Sequence, residues 1–381
     1  MNRCFNWRIV TVVLSLMGYL CVSQTWAMEI TDTFSIGGVL AGAYQHQEVN
    51  NVTEPNDSIG RGALSFQPEL SWTPTKKDQV FAKFGFAAGD GLNEIGTFNL
   101  NPWAATLEGG LKNINGTGRD YLLTVWYKHT FEFKDGHSLG LTGGIIDSTD
   151  HLDQNAYSND EYTQFMNEAL VNGPNAFLPS YDVGGAIEYR YKERFGVNAV
   201  VMNVGQTDAA TGDNNFNFYG IQFGYRIHSG LGQGTYRALI NFGSEDFLDP
   251  TGTTRESKMS YFLSFDQELG RNFGGWIRVG GQTDDAAITY ENIFSGGIQI
   301  NGTIYGREAD AIGIGYAYLP GANQVGNTID STQVAEIYWR FGLNDYVALT
   351  ADAQYMADDY VPAAGDGPNG YVLGVRATVE F

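Results

Sequence analysis

Apolar and polar residues alternate with a period of two near the carboxyl terminus, and the same pattern returns along the chain. At 371–381 the odd-numbered positions are apolar, whereas Arg376 and Glu380 lie among the even-numbered ones. Comparable alternation occurs at 346–355 and 216–227. A period of two is that of a β-strand whose two faces meet different environments. These segments therefore predict an all-β chain.

Sixteen segments of this kind can be counted. They lie at approximately 33–46, 61–72, 79–88, 121–133, 137–146, 181–192, 195–204, 216–227, 234–243, 258–269, 273–282, 293–301, 309–318, 333–343, 346–355 and 371–381. Short turns follow the even-numbered strands, and longer connections follow the odd-numbered ones. The longer connections lie near 47–60, 89–120, 147–180, 205–215, 244–257, 283–292, 319–332 and 356–370. This alternation predicts an antiparallel up-and-down barrel with its short turns at one rim.

The width of such a barrel decides which way its faces point. Sixteen strands enclose an interior too wide for side chains to fill, so the polar face is expected to line water. The apolar face then points to lipid, and aromatic residues at strand ends suit the membrane interfaces. These aromatic residues are Tyr121, Phe133, Tyr261, Phe273, Tyr355, Tyr371 and Phe381. The prediction is a transmembrane β-barrel of about sixteen strands, with short periplasmic turns and long extracellular loops.

The first 27 residues have the pattern of a secretory signal peptide. Arg3 and Arg8 precede a nearly unbroken apolar stretch at 9–22, and Ala27 supplies a small residue at the expected cleavage site. Removal at this site leaves 28–381 as a single barrel domain. Both cysteines lie in the removed segment, so the mature chain has no disulfide or thiolate site. A lipoprotein signal is disfavoured because the residues before the second cysteine are not small.

The charge balance and the lack of recognisable motifs argue against several kinds of ligand and against catalysis. A formal net charge of −21 without a basic run disfavours nucleic acid as a partner. Asp147, Asp150 and Asp153 lack the spacing of an EF-hand, so no metal site is expected. No dinucleotide or phosphate-binding motif joins a strand to a helix, and no catalytic triad is apparent. We therefore expect neither a cofactor nor an enzyme.

The polar parity of the strands predicts which side chains line the lumen. An Arg or Lys in the middle of a lipid-facing strand costs about 2–4 kcal/mol, so mid-strand Arg226, Arg278 and Arg340 are expected to face water. Guanidinium and carboxylate groups there could exchange hydrogen bonds with hydroxyl groups of a sugar, or could form an ion-paired lattice that braces the wall. The candidate pore-lining residues are Arg190, Arg226, Arg237, Asp266, Glu268, Trp276, Arg278, Glu336, Tyr338, Arg340, Asp352 and Arg376.

Several segments resemble the carbohydrate-selective porins, the OprB-like family of Gram-negative outer membranes. The stretch 153–167 is similar to a loop of that family, and 261–282 to its paired late strands. The segments 336–340 and 349–355, together with the terminal Phe381, are similar to its carboxyl-terminal hairpin and end. One departure is at Met356-Ala357-Asp358-Asp359, where the family commonly has Asn-Pro.

The resemblance implies a 16-stranded porin through which sugars diffuse down their gradient. It also implies an environment of outer-membrane lipid and lipopolysaccharide, and recognition of the strand that ends at Phe381 by the barrel-assembly machinery. Many porins are homotrimers, and the sequence leaves the oligomeric state open.

The connection at 147–180 is the best candidate for a segment folded into the pore, because long loops are usually functional or disordered. Glu161, Phe165, Met166, Ala169 and Leu170 suggest a short helical turn that could pack against the wall. The alternative is a mobile external loop.

Two transport functions remain open. One is passive diffusion of mono- or small oligosaccharides, and the other is a general or weakly cation-preferring diffusion porin without sugar specificity. The acidic loops favour the second by raising the local concentration of cations, whereas the mixed signs of the candidate lumen residues do not. An adhesin or a soluble β-lectin is the alternative without transport.

Overall fold

The computed structural model describes residues 27–381 except 206, 209–211 and 214. In this part of the chain, sixteen antiparallel strands form one closed barrel. The strands are β1 Phe34–Asn50, β2 Ser58–Thr75, β3 Asp78–Phe84 continued as Phe86–Ala88, β4 Leu122–Glu132, β5 His137–Ile146, β6 Asp182–Tyr191, β7 Phe195–Val204, β8 Phe216–Ser229, β9 Gly232–Leu248, β10 Arg255–Leu269, β11 Phe273–Gln282, β12 Asn292–Asn301, β13 Ala311–Pro320, β14 Ile329–Gly342, β15 Val347–Tyr360 and β16 Asn369–Glu380. A short strand, Met28–Thr31, pairs with β1. The predicted signal peptide lies almost entirely outside the described residues.

Each strand pairs with its neighbours in sequence, and the last strand pairs with the first. In that seam Tyr44 of β1 lies opposite Val375 of β16. The amide of Gly38 donates to the carbonyl oxygen of Phe381 at 2.9 Å. Because each of the sixteen barrel strands in the described part of the chain pairs with a strand on either side, the predicted up-and-down barrel is confirmed and the sheet closes on itself.

The two faces of the sheet differ as the period of two predicts. On β15 and β16 the side chains of Leu349 and Tyr371 are exposed on the outer surface, whereas Asp352 and Arg376 are buried inside. The same alternation places exposed aromatic and aliphatic residues around the outside of the other strands. A polar interior and an apolar exterior are the arrangement of barrels that sit in lipid.

Several strands continue further towards the long-loop rim than the sequence pattern indicated. β1 ends at Asn50, β14 begins at Ile329 and β15 ends at Tyr360. These ends mix polar residues with Val49, Ile329 and Tyr360, so the period of two fades in the sequence while the hydrogen-bond ladder continues. β3 is interrupted at Gly85, where a Cβ atom would come within 2.5 Å of the Leu111 side chain.

The two long connections, 89–121 and 147–181, fold back onto the inner face of the barrel. Their side chains form much of the buried apolar core, including Trp103, Phe165 and Met166, all at most 1% exposed. A short helix, Glu168–Val171, is capped by the Asn167 side chain, which accepts from the amide of Ala169 at 3.0 Å. None of the described helices is both long enough and apolar enough to cross a membrane.

Candidate functional site

Arg278 of β11 is the most completely engaged side chain of the lumen. It is fully buried, and its Nε forms an ion pair with Asp153 at 2.8 Å. Nη1 donates to Ser158 Oγ at 2.7 Å and to the Leu170 carbonyl at 3.4 Å, and Nη2 donates to the carbonyl oxygens of Ser158 and Val171. A guanidinium has five N–H donors. All five are therefore used to hold the connection 147–181 against the wall.

Glu336 of β14 and Arg376 of β16 hold the middle of the same connection. The Glu336 carboxylate accepts from the amides of Met166 at 2.6 Å and Asn167 at 2.9 Å. Arg376 donates to the carbonyl oxygens of Glu161 at 2.7 Å and Gln164 at 2.9 Å. These contacts satisfy backbone groups of a segment without regular secondary structure, so its path is determined by the barrel wall.

Trp276 and Tyr338 are covered by the connection as well. The ring of Phe165 meets Trp276 at a centroid distance of 5.8 Å and Tyr338 at 5.0 Å, both edge to face. Trp276 and Tyr338 are at most 2% exposed. Asp352 is also buried, and its Oδ1 accepts from Gln354 Nε2 at 2.9 Å. Trp276 and Tyr338, two of the predicted pore-lining residues, are thus packed on Phe165.

A different part of the inner face is not covered in this way. We call the inward side chains Ser264, Arg278, Glu336, Gln354 and Arg376 the covered wall, because all are at most 2% exposed beneath the connection 147–181. On β2, β3, β4 and β6, the charged side chains of Glu69, Lys83, Lys128, Glu188 and Arg190 keep 14–27% exposure, and we call them the open wall. Trp126 lies among them and stacks on Phe81. The connection 147–181 therefore lies against one side of the lumen and leaves the other side uncovered.

The charges of the open wall are paired with one another. Lys83 Nζ lies 3.1 Å from Glu69, and Lys128 donates to Glu188. Arg190 lies 3.7 Å from Glu188 and donates to Asn198 at 2.5 Å. Opposite charges at these distances largely cancel, so this wall offers hydrogen-bonding groups with a weak net field.

Two carboxyl groups of the connection 147–181 are poised to change charge near neutral pH. The Asp150 side chain is exposed, but protein atoms surround its carboxyl group closely enough to disfavour the charged form. This desolvation, together with the charge of Asp147, raises the pKa of Asp150 to about 7. Burial, followed by the charge of Asp160, likewise raises the pKa of Glu161 to about 7. Burial lowers the pKa of His151 to about 4, so it is neutral at pH 7.

The remaining predicted lumen residues lie towards the short-turn rim. Arg237 forms an ion pair with Asp266, and both line a cavity of about 110 Å³ with Arg190 and Arg226. Glu268 accepts from the amide of Gln233 at 2.7 Å. Arg340 donates to Glu380 at 2.5 Å. The predicted residues thus fall into three groups on the inner face. Arg278, Glu336 and Arg376 belong to the covered wall, with Trp276, Tyr338 and Asp352 buried beside them. Arg190 belongs to the open wall, and the others lie towards this rim.

A larger cavity of about 600 Å³ opens towards the long-loop rim. Its lining combines residues of both long connections, 89–121 and 147–181, with strand residues and two loops. It includes Glu168, Asn175, Phe177, Lys258, Gln282 and Tyr290. Gln154 and Ala156 of the connection 147–181 line the smaller cavity instead. The connection thus stands between an outer and an inner cavity.

Sequence reasoning missed several of these residues. Lys258 is in the inward parity of β10 and could have been found from the pattern, whereas Asn175 and Asp150 lie in a connection without periodicity. Among the described residues, no group of three His, Cys, Asp or Glu side chains is arranged to hold a metal ion. Asp153, which was weighed as a calcium ligand, is instead the partner of Arg278.

Comparison with known proteins gives consistent results. The sequence profile of the family described as carbohydrate-selective porin, OprB family, matches residues 109–381. An uncharacterized protein of Aquifex aeolicus (strain VF5) is 30% identical over 325 residues, which cover 84% of this chain and 87% of that protein.

Solved structures resemble the fold over nearly its whole length. The high-pH structure of Pseudomonas putida OprB superposes with a TM-score of 0.70 at 14% identity, covering 92% of this chain and 94% of that one. Pseudomonas aeruginosa OccK11 (OpdR) superposes with a TM-score of 0.54 at 10% identity, covering 91% and 96%. At these identities the likeness concerns the barrel fold.

Proposed function

The chain belongs to the OprB family of carbohydrate-selective porins, and from this premise we propose that it lets mono- or small oligosaccharides diffuse passively through its lumen. Diffusion down a gradient requires no chemistry on the solute. The proposal includes delivery to the Gram-negative outer membrane by a signal peptide at 1–27. Lipid and lipopolysaccharide would then contact the exposed apolar belt. Assembly through the strand ending at Phe381 and a homotrimeric state belong to the same proposal.

The observation that carries the proposal is the pairing of charges along the open wall. Ion pairs between Lys83 and Glu69 and between Lys128 and Glu188 leave little net field, while their N–H groups and carboxylate oxygens can still meet hydroxyl groups. A neutral polyhydroxylated solute gains hydrogen bonds from such a wall, whereas a small ion gains little. Weak contacts also permit rapid release.

We infer that the solute passes along the open wall. On the opposite side, Arg278, Glu336 and Arg376 are occupied by the connection 147–181. Asp150, an exposed residue of that connection, and Lys83 of the open wall are close enough for their charges to interact. These residues, rather than Arg278, are proposed to form the narrowest part of the passage.

A general, weakly cation-preferring porin is the second candidate, and the composition of the long-loop rim favours it. Few basic residues, among them Lys112, Arg119 and Arg255, lie in the connections at that rim, which carry many Asp and Glu residues. An acidic mouth concentrates cations near the opening.

Reconstitution in planar bilayers separates the two candidates. Single-channel current is recorded in salt while glucose, a disaccharide and a polyol of similar size are titrated. Reduction of the current by the sugars at concentrations where the polyol has no effect supports the sugar porin. A salt current that responds equally to sugar and polyol, with a reversal potential favouring cations, supports the second candidate. Absence of any channel contradicts both.

A further inference from the structure

Two amide side chains in the outer cavity have hydrogen-bonding groups that no described residue satisfies. Asn175 is 1% exposed, and both its Nδ2 and its Oδ1 are without a partner among the described residues. The Oε1 atom of Gln282 is in the same condition. Both residues line the cavity of about 600 Å³. Because buried polar atoms are rarely left without a partner, these two indicate a place for a polar ligand.

Asn175 is held rigidly in this position. It lies in a single 3-10 turn, Pro174–Ala176, at the end of the inner connection. The Ala176 carbonyl accepts from Asn241 Nδ2 at 3.1 Å and from Ser260 Oγ at 3.2 Å. The next residue, Phe177, has a φ of 41°, a left-handed conformation that is unusual for a bulky side chain. The conformation of this turn is therefore held by its hydrogen bonds to the barrel wall rather than by the intrinsic backbone preference of its residues.

Several other polar side chains of the lining are hydrogen-bonded within the protein. Tyr290 OH interacts with Asn99 Nδ2 at 2.6 Å and with Thr332 Oγ1 at 2.8 Å. Gln324 donates to two loop carbonyls and accepts from the Ile288 amide at 3.0 Å. With these side chains engaged, the groups of Asn175 and Gln282 stand out as the ones that a ligand could satisfy.

The chemistry of the lining indicates a neutral sugar. Asn175 offers both donors and an acceptor, and Gln282 offers an acceptor, which matches hydroxyl groups that donate and accept. Lys258 places its ammonium 5.8 Å from the Phe177 ring centroid, and Glu168 contributes one carboxyl group, so the lining has one group of each charge. The volume is within the range of about 300–1,000 Å³ found for small-molecule sites.

We propose that the outer cavity is a binding site for a neutral mono- or disaccharide, held by Asn175 and Gln282 before the solute reaches the open wall. This inference rests on the proposed function, because a loading site is useful only where sugars pass. Binding there is weak, since a tight site would slow release.

The test compares Asn175→Ala and Gln282→Met with Asn323→Ala, an exposed asparagine of the loop 321–328 that is outside the cavity lining. Glucose and sucrose are added to the long-loop side of an oriented bilayer, and sugar-induced current noise gives the apparent dissociation constant. Loss of one hydrogen bond of ordinary strength predicts binding about three- to tenfold weaker in each cavity variant and no change in Asn323→Ala. Heat-modified mobility in gels confirms that each barrel is folded.

The results distinguish failure of the outer binding site from failure of the proposed sugar-porin function. If wild type discriminates sugars from the polyol and both cavity variants bind sugar as wild type does, the outer site is refuted while the sugar porin stands. If wild type shows no such discrimination, the proposed function itself fails. If Asn175→Ala unfolds, the conservative strand variant Gln282→Met decides, because its methylene chain retains the packing volume.

Discussion

The covered wall and the open wall carry the same kinds of side chain, yet they act on different partners. Arg278 and Arg376 bind main-chain oxygens of the connection 147–181 and are at most 1% exposed. Lys83 binds a carboxylate on the neighbouring strand β2, Lys128 binds one on β6 across β5, and both lysines remain partly exposed. A lumenal charge is thus available to a solute only where no loop has already satisfied it. Facing inward is necessary for solute contact but does not establish it.

Replacing Arg278 by Met should have the largest effect. The change removes all five donors and leaves Asp153 buried without its cation, and breaking a buried pair of this kind costs about 3–5 kcal/mol. We expect lower thermal stability of the folded barrel and a larger single-channel conductance, because the connection is no longer held against β11. The exposed Arg271→Met serves as the matched control. An unchanged conductance would contradict the anchoring role.

Replacing Glu336 by Ala should loosen the middle of the connection without releasing its start. The amides of Met166 and Asn167 lose their acceptors, and each unsatisfied buried group costs about 1–3 kcal/mol. Hydrogen exchange at these two amides should become faster, while exchange of the segment near Asp153 changes little. Glu336→Gln keeps one acceptor oxygen and should show a smaller increase. Exchange at the wild-type rate in Glu336→Ala would mean that the carboxylate does not hold these amides.

Replacing Lys83 by Met should alter selectivity while affecting stability little. A partly exposed ion pair contributes about 0–1 kcal/mol, and Glu69 keeps its charge when its partner is removed. The reversal potential in a salt gradient should therefore move towards preference for cations. A loss of stability comparable with that of the Arg278 variant would contradict the view that charges of the open wall, unlike those of the covered wall, contribute little to stability.

The smallest effect should be a pH dependence of the selectivity. Asp150, with a pKa near 7, is mostly neutral at pH 5.5 and negatively charged at pH 8.5, so cation preference should rise with pH. Its folded-state pKa lies above the usual value of about 3.9, so its contribution to stability falls as the pH rises from about 4 to about 7. Asp150→Asn should flatten the change in reversal potential, although Glu161 can retain part of it. An identical pH profile in the variant would exclude Asp150 as the responsible group.

The strands and their facing could be predicted because a period of two is a local property. Parity alone predicts that Arg376 and Asp352 face inward, and both side chains are buried in the structure. The role of Arg278 could not be deduced in this way, because it depends on Asp153, Ser158 and the helix Glu168–Val171, which lie far away in sequence and have no periodic pattern. Complete occupation of its donors favours an anchoring role over the predicted sugar contact. The parity of a strand residue predicts which face of the barrel its side chain is on, but only the tertiary structure shows which group that side chain binds.

The seam between β1 and β16 has a consequence for how the molecule is made. Tyr44 meets Val375, so the cylinder cannot be completed until nearly the entire chain has been synthesised and delivered. Contacts between residues so distant in sequence form slowly. Until they form, the first and last strands each present a row of unpaired backbone groups that can capture other extended chains. Removal of the final strand would therefore leave two unpaired strand edges that can bind other chains, rather than a closed barrel with fewer strands.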